Sequence, residues 1–169
     1  MKYKKIVLIG MMGCGKSSIS KLLATKINYK LTDLDEIFEI QEKISIKDFF
    51  EKFGEENFRI KETENLKSAL NEENVIISTG GGVILKKENK DLLFQNNILT
   101  IYLKTNAETI YNRIKNDTTR PLLQVENPKK EIENILAKRE KDYSLAKITI
   151  ETDNKTKEEI VEEIIKWIK

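Results

Sequence analysis

The sequence predicts a three-layer α/β/α fold: a single domain over residues 1–169, in which a five-stranded parallel sheet carries helices on both faces. Short apolar segments alternate along the chain with longer segments of helical periodicity, an order typical of parallel sheets. The first apolar segment, residues 6–9, shows no polar alternation, which indicates a strand buried on both faces. In such folds ligands bind beyond the carboxyl ends of the strands.

Five segments have the composition of strands: residues 6–9, 30–33, 75–77, 98–103 and 148–150. Helices are predicted at residues 17–27, at 34–71 with a break near Gly54, at 106–115 and at 128–142, and a final amphipathic helix through Trp167 follows the last strand. Ile46, Phe49, Phe50 and Phe53 form an apolar stripe, which we expect in the core or along a cleft. We expect Trp167 to serve packing only.

The composition excludes several classes of function. The chain has 30 Lys and Arg against 28 Asp and Glu, interspersed, so no basic surface for nucleic acid or membrane is expected. It has one cysteine and no histidine, which excludes an internal disulfide, Ser-His and Cys-His catalysis, and His-ligated metal sites. No apolar stretch reaches the roughly 18 to 20 residues of a membrane span. We expect a soluble, cytoplasmic monomer.

Residues 10–17 form a phosphate-binding loop. Their sequence, GMMGCGKS, fits G-x-x-x-x-G-K-[ST] and lies between a buried strand and a helix, as this motif requires. Lys16 is expected to reach the β- and γ-phosphates of a nucleotide, and the Ser17 hydroxyl to coordinate Mg²⁺. The residues expected to contact ATP here are Gly13, Cys14, Gly15, Lys16, Ser17 and Ser18. At Cys14 we expect the backbone to bind and the side chain to be passive.

A phosphate-binding loop alone leaves GTPases, ATPases and small-molecule kinases open, although no N-K-x-D guanine motif is present. Five further motifs follow in order: D-L-D at 33–35, F-R-x-x-E at 58–62, three glycines at 80–82, R-P-L-L at 120–123, and an arginine, Arg139, four residues before a tyrosine. Together with the loop they make the chain resemble the shikimate kinase family. The resemblance implies strand order 2-3-1-4-5 and ATP-dependent conversion of shikimate to 3-phosphoshikimate, a step of aromatic amino-acid biosynthesis through chorismate.

Two carboxylates lie at the end of the second strand. Asp33, beside the phosphate-binding loop, is expected to bind Mg²⁺ directly or through water, or else only to cap the next helix. Asp35 is expected to hold the substrate hydroxyls. Because the chain has no histidine, Asp35 is also the candidate base for the attacking hydroxyl, and the sequence leaves base and positioning roles open.

The resemblance assigns the substrate carboxylate to Arg59 and Arg139, since a guanidinium binds a carboxylate through two parallel hydrogen bonds. Glu62, three residues after Arg59, either orients that guanidinium or forms an ordinary surface pair. Gly80, Gly81 and Gly82 are expected to bring backbone N–H groups close to the substrate.

A lid is expected over residues 113–123. The resemblance places Arg120 over the γ-phosphate and Arg113 near the nucleotide. The chain departs from the family near residues 153–155, where Asn154 or Lys155 would have to supply the adenine contact. Two other readings stay open: a kinase of another small molecule such as gluconate or a nucleotide, and a regulatory module that binds ATP without turnover.

Overall fold

A computed structural model describes residues 2–117 and 125–169 of the chain. Within these residues five strands form one parallel sheet: β1 (Lys5–Ile9), β2 (Lys30–Asp33), β3 (Val75–Ser78), β4 (Ile98–Lys104) and β5 (Ile148–Glu151). Their order is β2-β3-β1-β4-β5, as the family resemblance implies. The predicted fold class is therefore confirmed.

Seven α-helices and one 3₁₀ turn connect the strands in the described residues. The helices are α1 (Lys16–Ile27), α2 (Leu34–Glu42), α3 (Ile46–Leu70), α4 (Lys87–Leu93), α5 (Ala107–Ile114), α6 (Pro128–Tyr143) and α7 (Lys157–Ile168), and the 3₁₀ turn is Val83–Leu85. In α3 the backbone leaves helical geometry at Gly54, whose φ is 83°. The predicted break near this glycine is confirmed. No helix of the described part is long and apolar enough to cross a membrane.

The core lies on both faces of the sheet. From β1, Ile6 and Leu8 pack with α1 and α7 on one face, while Val7 and Ile9 pack with α3, α4 and α6 on the other. Successive strand residues point to opposite faces, so a strand covered on both sides needs apolar residues at every position. This explains the unbroken apolar run that predicted the fold.

Three features of the structure differ from the sequence predictions. The 3₁₀ turn and α4 were not expected, because α4 buries only two side chains and one of them is the polar Asn89. With a polar residue at a buried position, α4 lacks the apolar periodicity from which helices are predicted. Phe53 lies outside the core with 45% of its surface exposed, unlike Phe49 in the same stripe, and Trp167 is also largely exposed.

Candidate active site

The phosphate-binding loop runs from the end of β1 into α1. Gly13 has φ 77°, and a Cβ at this position would lie only 2.7 Å from Ile114 Cγ2, so glycine is required twice over. Lys16 is 8% exposed, and its Nζ donates to the carbonyl oxygens of Gly10 (2.7 Å) and Met11 (3.0 Å). The Cys14 side chain is buried in the core, which leaves only its backbone for a ligand. Ser18 lies exposed in the first turn of α1.

Asp33 joins this loop to the end of β2. The Ser17 hydroxyl donates to Asp33 Oδ2 over 3.0 Å. The other carboxylate oxygen, Oδ1, accepts hydrogen bonds from the backbone N–H groups of Asp35 (3.1 Å) and Glu36 (3.4 Å), which makes Asp33 the N-cap of α2. The two roles considered for Asp33 are therefore compatible: capping holds the carboxylate in place beside Ser17.

Asp35 faces the first of the three glycines. A Cβ at Gly80 would lie 3.0 Å from Asp35 Oδ1 and 3.0 Å from Glu62 Oε1, so both carboxylates border this residue. Burial raises the pKa of Asp35 above its ordinary value, and the nearby Asp33 charge raises it further, while Lys16 opposes the shift. Asp35 is thus a partly buried carboxyl group with an increased affinity for a proton.

Arg59 lies against the third glycine. A Cβ at Gly82 would overlap the guanidinium, 2.7 Å from Arg59 Cζ, so only glycine permits this approach. The Arg59 side chain is 14% exposed and donates to Glu62 Oε2 over 2.7 Å and to Glu55 Oε1 over 3.0 and 3.2 Å. The Glu62 side chain is only 3% exposed, so its ion pair with Arg59 is not an ordinary surface pair. Burial raises the pKa of Glu62, and Arg59 opposes that shift.

Arg139 reaches the second glycine from α6. Its Nη1 donates to the Gly81 carbonyl oxygen over 3.1 Å, and the Tyr143 hydroxyl donates to the same oxygen over 2.5 Å. On its other side Gly81 approaches the phosphate-binding loop, because a Cβ there would lie 3.1 Å from the backbone nitrogen of Met12. Gly81 therefore contacts both Arg139 and the loop expected to bind ATP.

The remaining predicted residues lie at the edge of the site. Arg113, in the last turn of α5, donates to the carbonyl oxygens of Gly13 (3.3 Å) and Cys14 (3.2 Å), which places it against the phosphate-binding loop. Of the lid expected at 113–123, the structure describes residues 113–117. Arg120 and the R-P-L-L motif lie outside the described residues. Lys155 pairs with Glu163 over 2.6 Å, and Asn154 has φ 60°.

Sequence reasoning assigned no role to Tyr143, although the residue belongs to the motif around Arg139. The available signal was the spacing of the two residues: positions four apart lie on one face of a helix. Glu55 was also missed. It lies four residues before Arg59, the spacing of a helical ion pair, but it was one of many glutamates on a charged helix.

Comparisons with known proteins identify the family. The chain matches the family described as shikimate kinase over residues 12–169. It is 42% identical to the shikimate kinase of Thermodesulfovibrio yellowstonii, over 96% of this chain and 94% of that protein. The structure of the shikimate kinase from Acinetobacter baumannii in complex with shikimate superposes with a TM-score of 0.93 at 34% identity, covering 98% of this chain and 93% of that one.

A gluconokinase from Sinorhizobium meliloti has a TM-score of 0.56 at 14% identity over 96% of this chain and 89% of its own. That likeness extends to the fold alone. The family model, by contrast, matches residues 12–169, which include the three glycines and both arginines described above. The chain belongs to the shikimate kinase family.

Proposed function

We propose that this chain transfers the γ-phosphoryl group of ATP to a hydroxyl of shikimate, giving ADP and 3-phosphoshikimate on the route to chorismate. The observation that carries the proposal is the placement of the three glycines. Between them they contact Asp35, Arg59 and Arg139, and Gly81 also lies against the phosphate-binding loop. An acidic polyol held by those side chains has its hydroxyl next to the loop expected to hold ATP.

ATP is assigned to the phosphate-binding loop. Backbone N–H groups of a glycine-rich loop and the N-terminus of the following helix favour phosphate oxygens. The residues assigned here are Gly13, Cys14, Gly15, Lys16, Ser17 and Ser18, with Arg113 beside the loop. Lys16 now donates to two backbone carbonyls, and these bonds would be exchanged for stronger ones to the β- and γ-phosphates.

Ser17 and Asp33 fit Mg²⁺, which prefers oxygen ligands and is usually held by one or two protein groups together with substrate phosphates and water. Their oxygens are 3.0 Å apart, and capping of α2 restrains the carboxylate. When bound, Mg²⁺ neutralises charge on the phosphate oxygens.

The substrate carboxylate is assigned to Arg59 and Arg139. Both guanidinium groups contact the glycine segment, and Arg59 also donates a hydrogen bond to the buried Glu62. Bidentate binding by guanidinium favours a planar carboxylate over a hydroxyl. Gly80, Gly81 and Gly82 provide backbone N–H groups without side chains in the way.

Asp35 is assigned to the reacting hydroxyl. As a carboxylate it accepts the hydroxyl hydrogen and directs the oxygen lone pair toward phosphorus. Its raised pKa, caused by burial and by Asp33, makes it a better proton acceptor than an ordinary aspartate. In-line transfer then needs positive charge around the phosphoryl group, which Lys16 supplies on the loop side.

Arg120 is proposed to close over the γ-phosphate as part of a lid at 113–123, within the single domain of residues 1–169. A transition-state arginine contributes about 10³ to 10⁵ in rate, so Arg120→Ala is expected to lower mainly kcat. We also propose that the chain works in the cytoplasm as a monomer. Light scattering of the purified protein tests the monomeric state.

ADP release with Mg-ATP tests the proposed function. Shikimate, gluconate, nucleoside monophosphates and no acceptor are compared on one enzyme preparation. We expect turnover with shikimate alone. Faster ADP release with gluconate or a nucleotide would replace the proposed substrate, and ATP binding without acceptor-dependent release would indicate a regulatory nucleotide-binding module instead.

A further inference from the structure

Two side chains of α6 converge on one backbone oxygen in the candidate site. The Tyr143 hydroxyl donates to the Gly81 carbonyl oxygen over 2.5 Å, and Arg139 Nη1 donates to the same oxygen over 3.1 Å. Residues four apart share a helix face, so a single helix presents both donors. Tyr143 has no exposed surface, so water does not compete for the carbonyl on this side.

The Tyr143 ring is held by the sheet. It stacks on Tyr102 of β4 with ring centroids 4.9 Å apart and an angle of 19° between the planes. The Tyr102 hydroxyl donates to Glu140 Oε2 over 2.8 Å, which ties β4 to α6 at the same place. Burial raises the pKa of Tyr143 to about 12, so its hydroxyl remains a donor throughout the physiological pH range. The Tyr143 hydroxyl is therefore a protonated hydrogen-bond donor on a ring whose position is held by Tyr102.

The hydrogen bond restrains a segment of three consecutive glycines. Glycine has the widest backbone freedom of any residue, and three in a row have no side chains to hold them. The carbonyl of Gly81 and the N–H of Gly82 belong to one planar peptide. Fixing the oxygen therefore also fixes the direction of the Gly82 N–H and the orientation of the Arg139 guanidinium that shares the oxygen.

We propose that Tyr143 is a positioning residue for the acid substrate. Its hydroxyl orients the Gly81–Gly82 peptide and, through the shared carbonyl, the Arg139 guanidinium. This inference rests on the proposed function, which assigns Gly81, Gly82 and Arg139 to shikimate. Tyr143 itself is covered by the protein and acts through these neighbours.

Tyr143→Phe removes the hydroxyl and keeps the stacked ring. Loss of one hydrogen bond of ordinary strength corresponds to about a fivefold effect. We expect KM and Kd for shikimate to rise by about that factor, while KM for ATP stays within about twofold. The matched control is Tyr29→Phe, which removes a hydroxyl that donates to the Tyr3 carbonyl oxygen over 3.0 Å, just before the start of β2 and away from its carboxyl end. This control is expected to leave both KM values unchanged.

Each outcome has one meaning. If the wild-type chain shows no shikimate-dependent ADP release, the proposed function fails. If the wild type is active and Tyr143→Phe alters KM for both substrates equally, or matches Tyr29→Phe, the positioning role is overturned and the proposed function stands. If Tyr143→Phe does not fold, 4-fluorophenylalanine at position 143 fills the space of the hydroxyl without a donor. For that protein an unchanged Kd for shikimate overturns the proposal and a selective increase supports it.

Discussion

The Ser17 hydroxyl donates to Asp33 Oδ2 over 3.0 Å, although one residue opens α1 and the other ends β2. The second oxygen of Asp33 accepts from the backbone of Asp35. One carboxylate thus connects the phosphate-binding loop with the segment that carries the residue assigned to the acceptor hydroxyl. A change at Asp33 removes both the bond to Ser17 and the cap of α2, whereas a change at Ser17 leaves the capping bonds of Asp33 Oδ1 in place.

Ser17→Ala is therefore the cleaner test of the Mg²⁺ assignment. We expect the Mg²⁺ concentration for half-maximal rate to rise about tenfold, because one of two protein oxygens is lost. The measurement is a Mg²⁺ titration of ADP release at saturating shikimate. Thr25→Ala, which removes a hydroxyl that donates to the Lys21 carbonyl oxygen within α1, serves as control. An unchanged Mg²⁺ requirement in Ser17→Ala would contradict the assignment.

Lys16→Met tests the phosphate-binding loop. Lys16 is buried in the loop that we assign to the phosphates, and the loss of its charge is expected to lower kcat by at least about 10². Lys21→Met, on the exposed side of α1, is the matched control and should turn over normally. Near-normal activity of Lys16→Met would remove the basis for placing ATP at residues 10–17.

Arg59→Lys and Arg139→Lys test recognition of the carboxylate. A lysine keeps the charge but lacks the planar fork, so KM for shikimate should rise about tenfold or more, and KM for ATP much less. Arg113→Lys is the converse variant, since Arg113 contacts the phosphate-binding loop, and it should raise KM for ATP instead. Steady-state kinetics with each substrate varied separately decides this. Equal changes in both KM values would argue against the two-arginine clamp.

Asp35→Asn is expected to lower kcat by about 10² or more, the range of a lost acid-base group. It should also stabilise the fold at neutral pH. The pKa of Asp35 is higher in the folded chain than its ordinary value of 3.8. Ionised Asp35 therefore costs stability at neutral pH, and the cost disappears as the pH falls through the raised folded pKa.

Thermal unfolding of wild type and Asp35→Asn across pH measures this cost. The Tm difference in favour of the variant should be present at pH 7 and vanish below about pH 3.8, where the carboxyl group is protonated in both states. Glu36→Gln, an exposed change in the same helical turn, should show no such trend. A stability gain that persists in acid would exclude the ionisation of Asp35 as its cause.

Gly82→Ala tests the contact with Arg59. Gly82 has φ −99° and ψ 6°, which alanine can adopt, so the added methyl group acts mainly by displacing the guanidinium. We expect a selective increase in KM for shikimate with little change in Tm. In an Arg59→Ala background the same methyl group should have almost no further effect. Additive effects in the double variant would show that Gly82 acts independently of Arg59.

Local patterns predicted much of this molecule. The unbroken apolar run of β1 and the adjoining G-x-x-x-x-G-K-S loop are consecutive in the chain, so their structure follows from composition and spacing. The same holds for Arg59 and Glu62, which helical periodicity alone places side by side. The family resemblance carried the strand order, which the structure confirms. Helix α4 was not predicted, because its buried Asn89 interrupts the apolar pattern.

The sequence by itself determined the fold class, the phosphate-binding loop and the residue types available for chemistry, with carboxylates and no histidine. Only the tertiary structure decided which groups touch. It placed Gly82 under Arg59, made Asp33 both a helix cap and the partner of Ser17, and brought Tyr143 to Gly81 from 62 residues away. Periodicity describes neighbours along one element, whereas these contacts depend on how separate elements pack around the carboxyl ends of the strands.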